Sequence, residues 1–342
     1  MVETNQDTLE TTPPPTGQAS GGRRSRVLFS VGLVVVLLLL PLSRPLVGGT
    51  YNYVMQMATI TMMWVALATS WNLIGGYAGY ISLGNNVFFG IGGYLAGAML
   101  VYQGWSPFLT AILAGVAGFG VGLVVGLITL RTRGPAFIIA TIALLLMAEL
   151  IFDNWEFVGG ANGFSLPLPQ FPREWARAPF YLAMLATAAG SVVLSWKVAH
   201  TKFGLGLRAL AEDEVKAEVL GINTRRYKII AYALSGVFPA AAGAIWGYSL
   251  TYLQPSIFFT IGIAAQMVLM AIIGGRGTVA GPVVGAILLV ALNEASVSQF
   301  GSSELNIVVT GIILIVVLLF FPNGIVGSLR QWRRLPAFLD WD

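Results

Sequence analysis

The sequence predicts an all-α integral membrane protein of about ten transmembrane helices, with a further helix on its cytoplasmic face. Three observations carry that prediction. Of 342 residues, 56% are hydrophobic and 10% charged, against roughly 25% charged in a soluble domain, so too little charge is present to cover a water-facing surface. Mean hydropathy is +0.78, and apolar runs near the ~20 residues that cross a bilayer core recur along the chain. Those runs do not alternate between polar and apolar residues, as the strands of a membrane barrel would.

Residues 1–22 include "TTPPPTGQASGG" and predict a disordered cytoplasmic tail, because so polar a stretch has nothing to bury. "GRRSRV" then leads into an apolar run that ends in "PLSRP". A signal peptide would end at a small-residue cleavage site, so this run is expected to be an uncleaved first span. The membrane domain is expected over 23–330, with spans near 27–43, 52–71, 80–102, 107–130, 135–152, 179–197, 229–251, 260–273, 281–297 and 305–321. The spans at 27–43, 260–273 and 281–297 are short enough to be tilted, broken or re-entrant. An external loop is expected at 153–178, where Trp155 and Trp175 suit the membrane interface, a cytoplasmic loop at 198–228 and a cytoplasmic tail at 331–342.

Charge supports that threading. With both termini in the cytoplasm, the inside segments collect 16 of the 19 basic residues, and only Arg44, Arg173 and Arg177 fall outside, the bias that the positive-inside rule describes. The same charge excess explains a net charge of +4 without a nucleic-acid partner; the partner of the apolar faces is the lipid bilayer. A multi-pass plasma-membrane location follows. Spans 2–5 begin outside and spans 7–10 inside, the arrangement of inverted four-helix repeats.

Composition also excludes chemistries. There is no cysteine and one histidine, His200, so neither disulfides nor a His/Cys zinc site can form. No nucleophile–histidine pair, metal cluster or carboxylate dyad offers a catalytic residue, which speaks against a membrane enzyme. No G-x-x-x-x-G-K-[ST] loop is present; if ATP and Mg drive this protein, partner subunits bind them. Glu149 and Glu294 are the acids nearest membrane depth, each at a span's outer end, and that placement argues against a proton relay in an ion-coupled secondary transporter.

The 41 glycines are patterned. Gly93/Gly97, Gly118/Gly122/Gly126, Gly243/Gly247 and Gly281/Gly285 stand four apart, the spacing that brings helix backbones together. Two glycine-rich stretches also carry polar groups: "SWNLIGGYAGYISLGNNVFFGIGGYLAG" and "MAIIGGRGTVAGPVVGA". Asn72, Ser82, Asn85 and Asn86 in the first are candidates for lining a translocation pathway at a broken helix; hydrogen bonding between helices is the other reading. Arg276 in the second suits a cytoplasmic turn.

The most charged segment is "RALAEDEVKAEVLGINTRRYK", Arg208 to Lys228. Leu207, Leu210, Ala211, Val215 and Val219 form one apolar stripe at helical spacing, and Gly221 is the expected stop. An amphipathic helix resting on lipid usually shows Lys and Arg on its polar face. Here that face holds Glu212, Asp213, Glu214 and Glu218, which favours docking into the groove of a protein partner.

The blocks "WNLIGGYAGYISLGNNVFFGIGGY", "RTRGPAFIIATIAL", "VGGANGFSLP", "GLRALAEDEVKAEVLGINTRRYKIIAYALSG", "IGGRGTVAGPVVGA" and "LFFPNGIVGSL" resemble, in that order, the permeases of branched-chain amino acid ABC importers, in particular the LivM-like branch. The resemblance covers most of 70–330. It implies a permease subunit that works by alternating access with a second, LivH-like permease, two cytoplasmic ABC ATPase subunits and an external solute-binding protein. It further implies that the loop at 205–224 couples to an ATPase through Arg208, Ala211, Glu212, Glu214, Glu218 and Gly221. Where the family often carries "SLGHAAFFGIG" or "SLGQAAFFGIG", this chain has "SLGNNVFFGIG", so Asn85 and Asn86 depart from the pattern. Related systems import urea, short amides or small carboxylates, which leaves the solute open.

Overall fold

The computed structural model describes residues 32, 35–44, 48–130, 132, 134–169, 171–172, 175–301, 311–312, 315, 319–321, 324–331 and 341. The predicted tail 1–22 lies outside them, as do most of the tail 331–342, most of the span expected at 305–321 and part of the span expected at 27–43.

The described residues are almost wholly helical. Helices run α1 Tyr51–Asn72, α2 Asn86–Gln103, α3 Pro107–Thr129, α4 Pro135–Asp153, α5 Ala178–Ala199, α6 Lys202–Glu212, α7 Glu214–Val219, α8 Thr224–Leu250, α9 Pro255–Phe258, α10 Ile261–Gly275, α11 Ala280–Phe300 and α12 Gly324–Gln331. Seven helical stretches among the described residues are long and apolar enough to cross a membrane, containing α1, α3, α4, α5, α8, α9 with α10, and α11. The chain is therefore an all-α membrane protein.

Element ends follow local chemistry. α3, α4 and α9 open on a proline at the first turn, where a missing N–H costs nothing. α2 closes on Gly104 in the left-handed region, φ 68°, the usual helix stop. α8 starts five residues earlier than the apolar run suggests, because the Asn223 side chain accepts the Arg226 N–H at 3.1 Å and caps it.

Two expected spans are reshaped. The span expected at 80–102 begins as a helix only at Asn86. Ahead of it, α1 passes into a π-helical turn, Leu73–Tyr77, and the chain then runs without helix from Gly79, φ 75°, to Gly84. Breaks of this kind are tolerated at membrane depth only inside protein or beside a cavity. The span expected at 260–273 is preceded by the one-turn helix α9, and the helical stretch Pro255–Gly275 as a whole is long and apolar enough to cross a membrane.

α8 is the hub, packed along α3 and α2, while α1 pairs with α5 and α10 with α11. The glycine spacing is a packing device here. A Cβ on Gly118 would lie 2.5 Å from the Gly236 carbonyl oxygen, and one on Gly236 would lie 2.7 Å from that of Gly118. Gly243 faces the Phe89 carbonyl and Gly92 that of Ala240, each at 1.9 Å from the missing Cβ. α8 thus touches α2 and α3 backbone to backbone, as small-residue faces allow.

The loop at 153–178 folds over one end of this bundle. Phe164–Ser165 pairs antiparallel with Tyr252–Leu253, and Tyr102 stacks on Phe157 at 4.5 Å. Trp155 and Trp175 are exposed. At the same end the Tyr53 hydroxyl donates to the Glu294 carboxylate, joining α1 to α11.

Candidate coupling site

The segment expected to be one amphipathic helix is two helices. α6 begins at the Thr201 cap and ends at Asp213, whose backbone turns extended, φ −160°. The Asp213 carboxylate then accepts the N–H groups of Val215 at 3.0 Å and Lys216 at 3.1 Å and so caps α7. Those amides, with the Lys216 ammonium 3.2 Å from its other oxygen, hold the Asp213 carboxyl below the usual carboxylate range. The signal was in the sequence: Asp is a strong helix starter, but a continuous apolar spacing masked it.

The break divides the stripe. Leu207 and Leu210 are 0% and 3% exposed and pack into the protein's own core, whereas Val219 and Leu220 are 82% and 77% exposed. Val215 and Leu205 are also exposed. Gly221, φ 84°, ends α7, and the Ile222 N–H returns to the Ala217 carbonyl at 3.1 Å.

The six expected coupling residues separate in the same way. Glu212, Glu218 and Gly221 face outward. Arg208 is exposed but holds its guanidinium 5.6 Å from the Tyr77 ring centre, and Ala211 is approached by Gly79, whose added Cβ would lie 3.2 Å from the Ala211 Cβ. Glu214 turns inward. It pairs with Lys228 of α8 at 2.7 Å, with side chains only 12% and 4% exposed, and accepts the Tyr80 hydroxyl. Lys228 also donates to the Tyr80 hydroxyl at 3.3 Å. Neither Lys228 nor Tyr80 was singled out by sequence, since Tyr80 is 134 residues from Glu214. Glu214 and Lys228 face a cavity of about 320 Å³ between α3, α7 and α8, which Leu127, Glu218 and Arg225 also line.

The four candidate pathway residues are all buried and all bind protein. Asn72 donates to the Thr278 carbonyl and accepts the Gly277 N–H, both at 2.9 Å, so it clamps the end of α1 to the α10–α11 turn. Arg276 sits exposed in that turn. The Ser82 carbonyl accepts the Trp71 indole N–H at 2.7 Å. Asn85 donates to Ser235 of α8 at 2.9 Å. Asn86 donates to the carbonyls of Phe258 and Thr260 at 2.8 and 2.9 Å. In this arrangement they join helices around the α1–α2 break, and the Oδ1 atoms of Asn85 and Asn86 meet no protein donor among the described residues.

A bundle of apolar helices, a polar break held inside it and a short helix pair with one exposed apolar face describe a polytopic membrane protein with a surface open to a partner. Comparison with known proteins gives the family. Residues 53–318 match the family described as branched-chain amino acid transport system / permease component, and the chain belongs to it. It is 26% identical to the high-affinity branched-chain amino acid transport system permease protein LivM of Escherichia coli K12, over 92% of this chain and 78% of that protein. It is 32% identical to LivH of Salmonella typhimurium over 52% of this chain and 54% of that one. The ribose import permease protein RbsC of Escherichia coli K12 is 28% identical over 62% of this chain and 68% of its own length.

Proposed function

We propose that this chain is the LivM-like permease subunit of an ATP-driven importer of branched-chain amino acids. It forms the translocation pathway with a LivH-like permease, receives solute from an external binding protein and is driven by two cytoplasmic ABC ATPases. The observation that carries the reading is the α6–α7 pair. Its apolar residues Val215, Val219 and Leu220 are exposed beside Glu212 and Glu218, a surface suited to a protein groove. Coupling on this reading is by outward contacts of Glu212, Glu218 and the α7 apolar face.

The ten-span threading, both termini in the cytoplasm and two inverted four-helix units belong to the same reading. It puts α6, α7 and Arg276 on the cytoplasmic side, and the loop at 153–178 outside. The chain has no native cysteine, so single introduced cysteines report sidedness directly: a cysteine at Glu218 is labelled only from the cytoplasm and one at Trp155 only from outside.

The docking assignment is tested by Val219→Asp with Leu220→Asp in the assembled transporter. Co-purification of the ATPase subunits and leucine uptake are expected to fall together, by about tenfold or more, since buried contact anchors dominate such interfaces. Undiminished co-purification and uptake overturn the assignment. The solute is tested by uptake of leucine, isoleucine and valine against urea, short amides and small carboxylates. A similar chain named for ribose import makes that comparison necessary, because the fold does not dictate the cargo.

A further inference from the structure

We propose that Glu214, Lys228 and Tyr80 form a polar clasp that hands motion of α7 to the α1–α2 break, so that ATP hydrolysis is spent on opening and closing the pathway. The inference rests on the coupling reading above and assigns to Glu214 a role distinct from contact with the ATPase.

Three features place the clasp between what moves and what opens. The first is its position in the chain. Glu214 is the first residue of α7, Lys228 lies in the second turn of α8, and Tyr80 lies in the non-helical stretch between the π-turn and α2. One ion pair and one hydroxyl therefore connect three separate elements. Both side chains are largely withdrawn from the surface, although they line the cavity between α3, α7 and α8, so their attraction is screened less than that of an exposed pair.

The second feature is that the clasp is one of three fastenings on the same short segment. The Tyr77 ring lies under the Arg208 guanidinium, and its hydroxyl lies 3.2 Å from Ser195 of α5. Gly79, with its positive φ, packs against Ala211. Tyr80 binds Glu214. Residues 77, 79 and 80 are thus held in turn by α6, α6 and α7, and a displacement of the α6–α7 pair pulls on the break at each of them.

The third feature is where the break leads. Beyond Tyr80, Ser82 accepts the Trp71 N–H from α1, the Leu83 N–H reaches Thr141 of α4 at 3.2 Å, and Asn85 and Asn86 bind α8 and the α9–α10 junction. A pull at 77–80 therefore reaches α1, α4, α8 and the α9–α10 junction. π-turns inside helices recur at functional sites. An ion pair of this kind is weak evidence of stability, because the desolvation penalty offsets its attraction; a role in holding a particular geometry accounts better for charges at this place.

The test uses the complete transporter in proteoliposomes, with radiolabelled leucine inside-directed and ATP supplied to the ATPase face. The main variant, Glu214→Gln with Lys228→Met, removes both charges of the pair together instead of stranding one against the other's site. The ATPase subunits are expected to stay bound and to hydrolyse ATP at a rate within about twofold of wild type, while leucine uptake per ATP falls by about tenfold or more; Tyr80→Phe, which deletes one hydroxyl and keeps the ion pair, lowers the same ratio to a lesser degree. A simple loss of folding lowers hydrolysis and uptake together and does not move the ratio, and if the double variant does not accumulate, the Tyr80→Phe ratio decides alone. An unchanged ratio overturns the clasp. So does loss of the ATPase subunits from the double variant, which makes Glu214 a docking contact instead. The outward substitutions at Val219 and Leu220 remove the ATPase without altering the clasp, so failure of the docking reading and failure of the clasp give different results.

Discussion

α8 meets its neighbours in two different ways along its length. From Ala233 to Gly243 it lies on α2 and α3 with backbone against backbone, through Gly92, Gly118, Gly236 and Gly243. At its first turns it meets α7 and the α1–α2 break through one lysine, one glutamate and one tyrosine hydroxyl. Close-packed interiors transmit strain and resist deformation, whereas a contact made by three polar groups can be re-made in another geometry. A transporter needs both: a part that keeps its shape and a place where movement enters.

The largest effect is expected in the rigid part. In Gly243→Val the new side chain meets the Phe89 carbonyl, because even a Cβ would lie 1.9 Å away and neither backbone can yield without separating the helices. Overpacking of this severity exceeds the usual penalty of about 1–3 kcal/mol, and membrane accumulation is expected to fall by about tenfold or more. Gly120→Ala on α3, where nothing lies within 4 Å of the added Cβ, is expected to accumulate as wild type does. Quantitative blotting of membrane fractions compares the two. Equal accumulation of both would mean that the α2–α8 contact is not the fixed element.

An intermediate effect is expected where the rigid part joins the break. Asn72→Ala orphans the Gly277 N–H and the Thr278 carbonyl, each of which the side chain now satisfies at 2.9 Å. An unsatisfied buried group costs about 1–3 kcal/mol, and the thermal midpoint of the purified transporter is expected to fall. Asn72→Asp keeps the acceptor toward Gly277 and loses the donor toward Thr278, so the pair of variants separates the two bonds. No change in either would mean that the α10–α11 turn is held by other contacts.

Sequence reading reached these two regions unequally. Apolar runs placed α3, α4 and α5 within two residues at each end, because the length of an apolar run is a local property. The four-residue glycine spacing correctly marked close-packed faces, although it could not say which helix lay opposite. The glycines and polar residues of Ser70–Gly97 suggested a broken helix but not its place, which the tertiary bonds of Ser82, Leu83 and Asn85 fix at 79–84. Helical spacing made Glu214 one more acid on an exposed face. Its inward turn depends on Asp213 ending α6 and resetting the helix phase, and its partners come from Tyr80 and Lys228, which no local pattern connects.

The smallest effect is expected at that phase reset, and it carries a sign that pH can read. The Asp213 carboxylate is held below its usual range, first by the Lys216 N–H and then by the Lys216 side chain. Its folded pKa is therefore lower than the unfolded value of about 3.9. The contribution to α7 is complete above the unfolded value and disappears as pH falls through the folded one, so nothing changes near neutrality. Protection factors of the Val215 and Lys216 amides, which are corrected for the intrinsic pH dependence of exchange, are expected to be flat from neutrality down to about 4 and to drop below it. In Asp213→Asn the side-chain oxygen still caps the helix without titrating, so protection is expected to persist through the acid range. Asp213→Ala removes the cap and lowers protection several-fold at every pH. If Asp213→Asn lost protection in acid as wild type does, the titrating group would not be Asp213, and the first turn of α7 would not be held by the Asp213 cap.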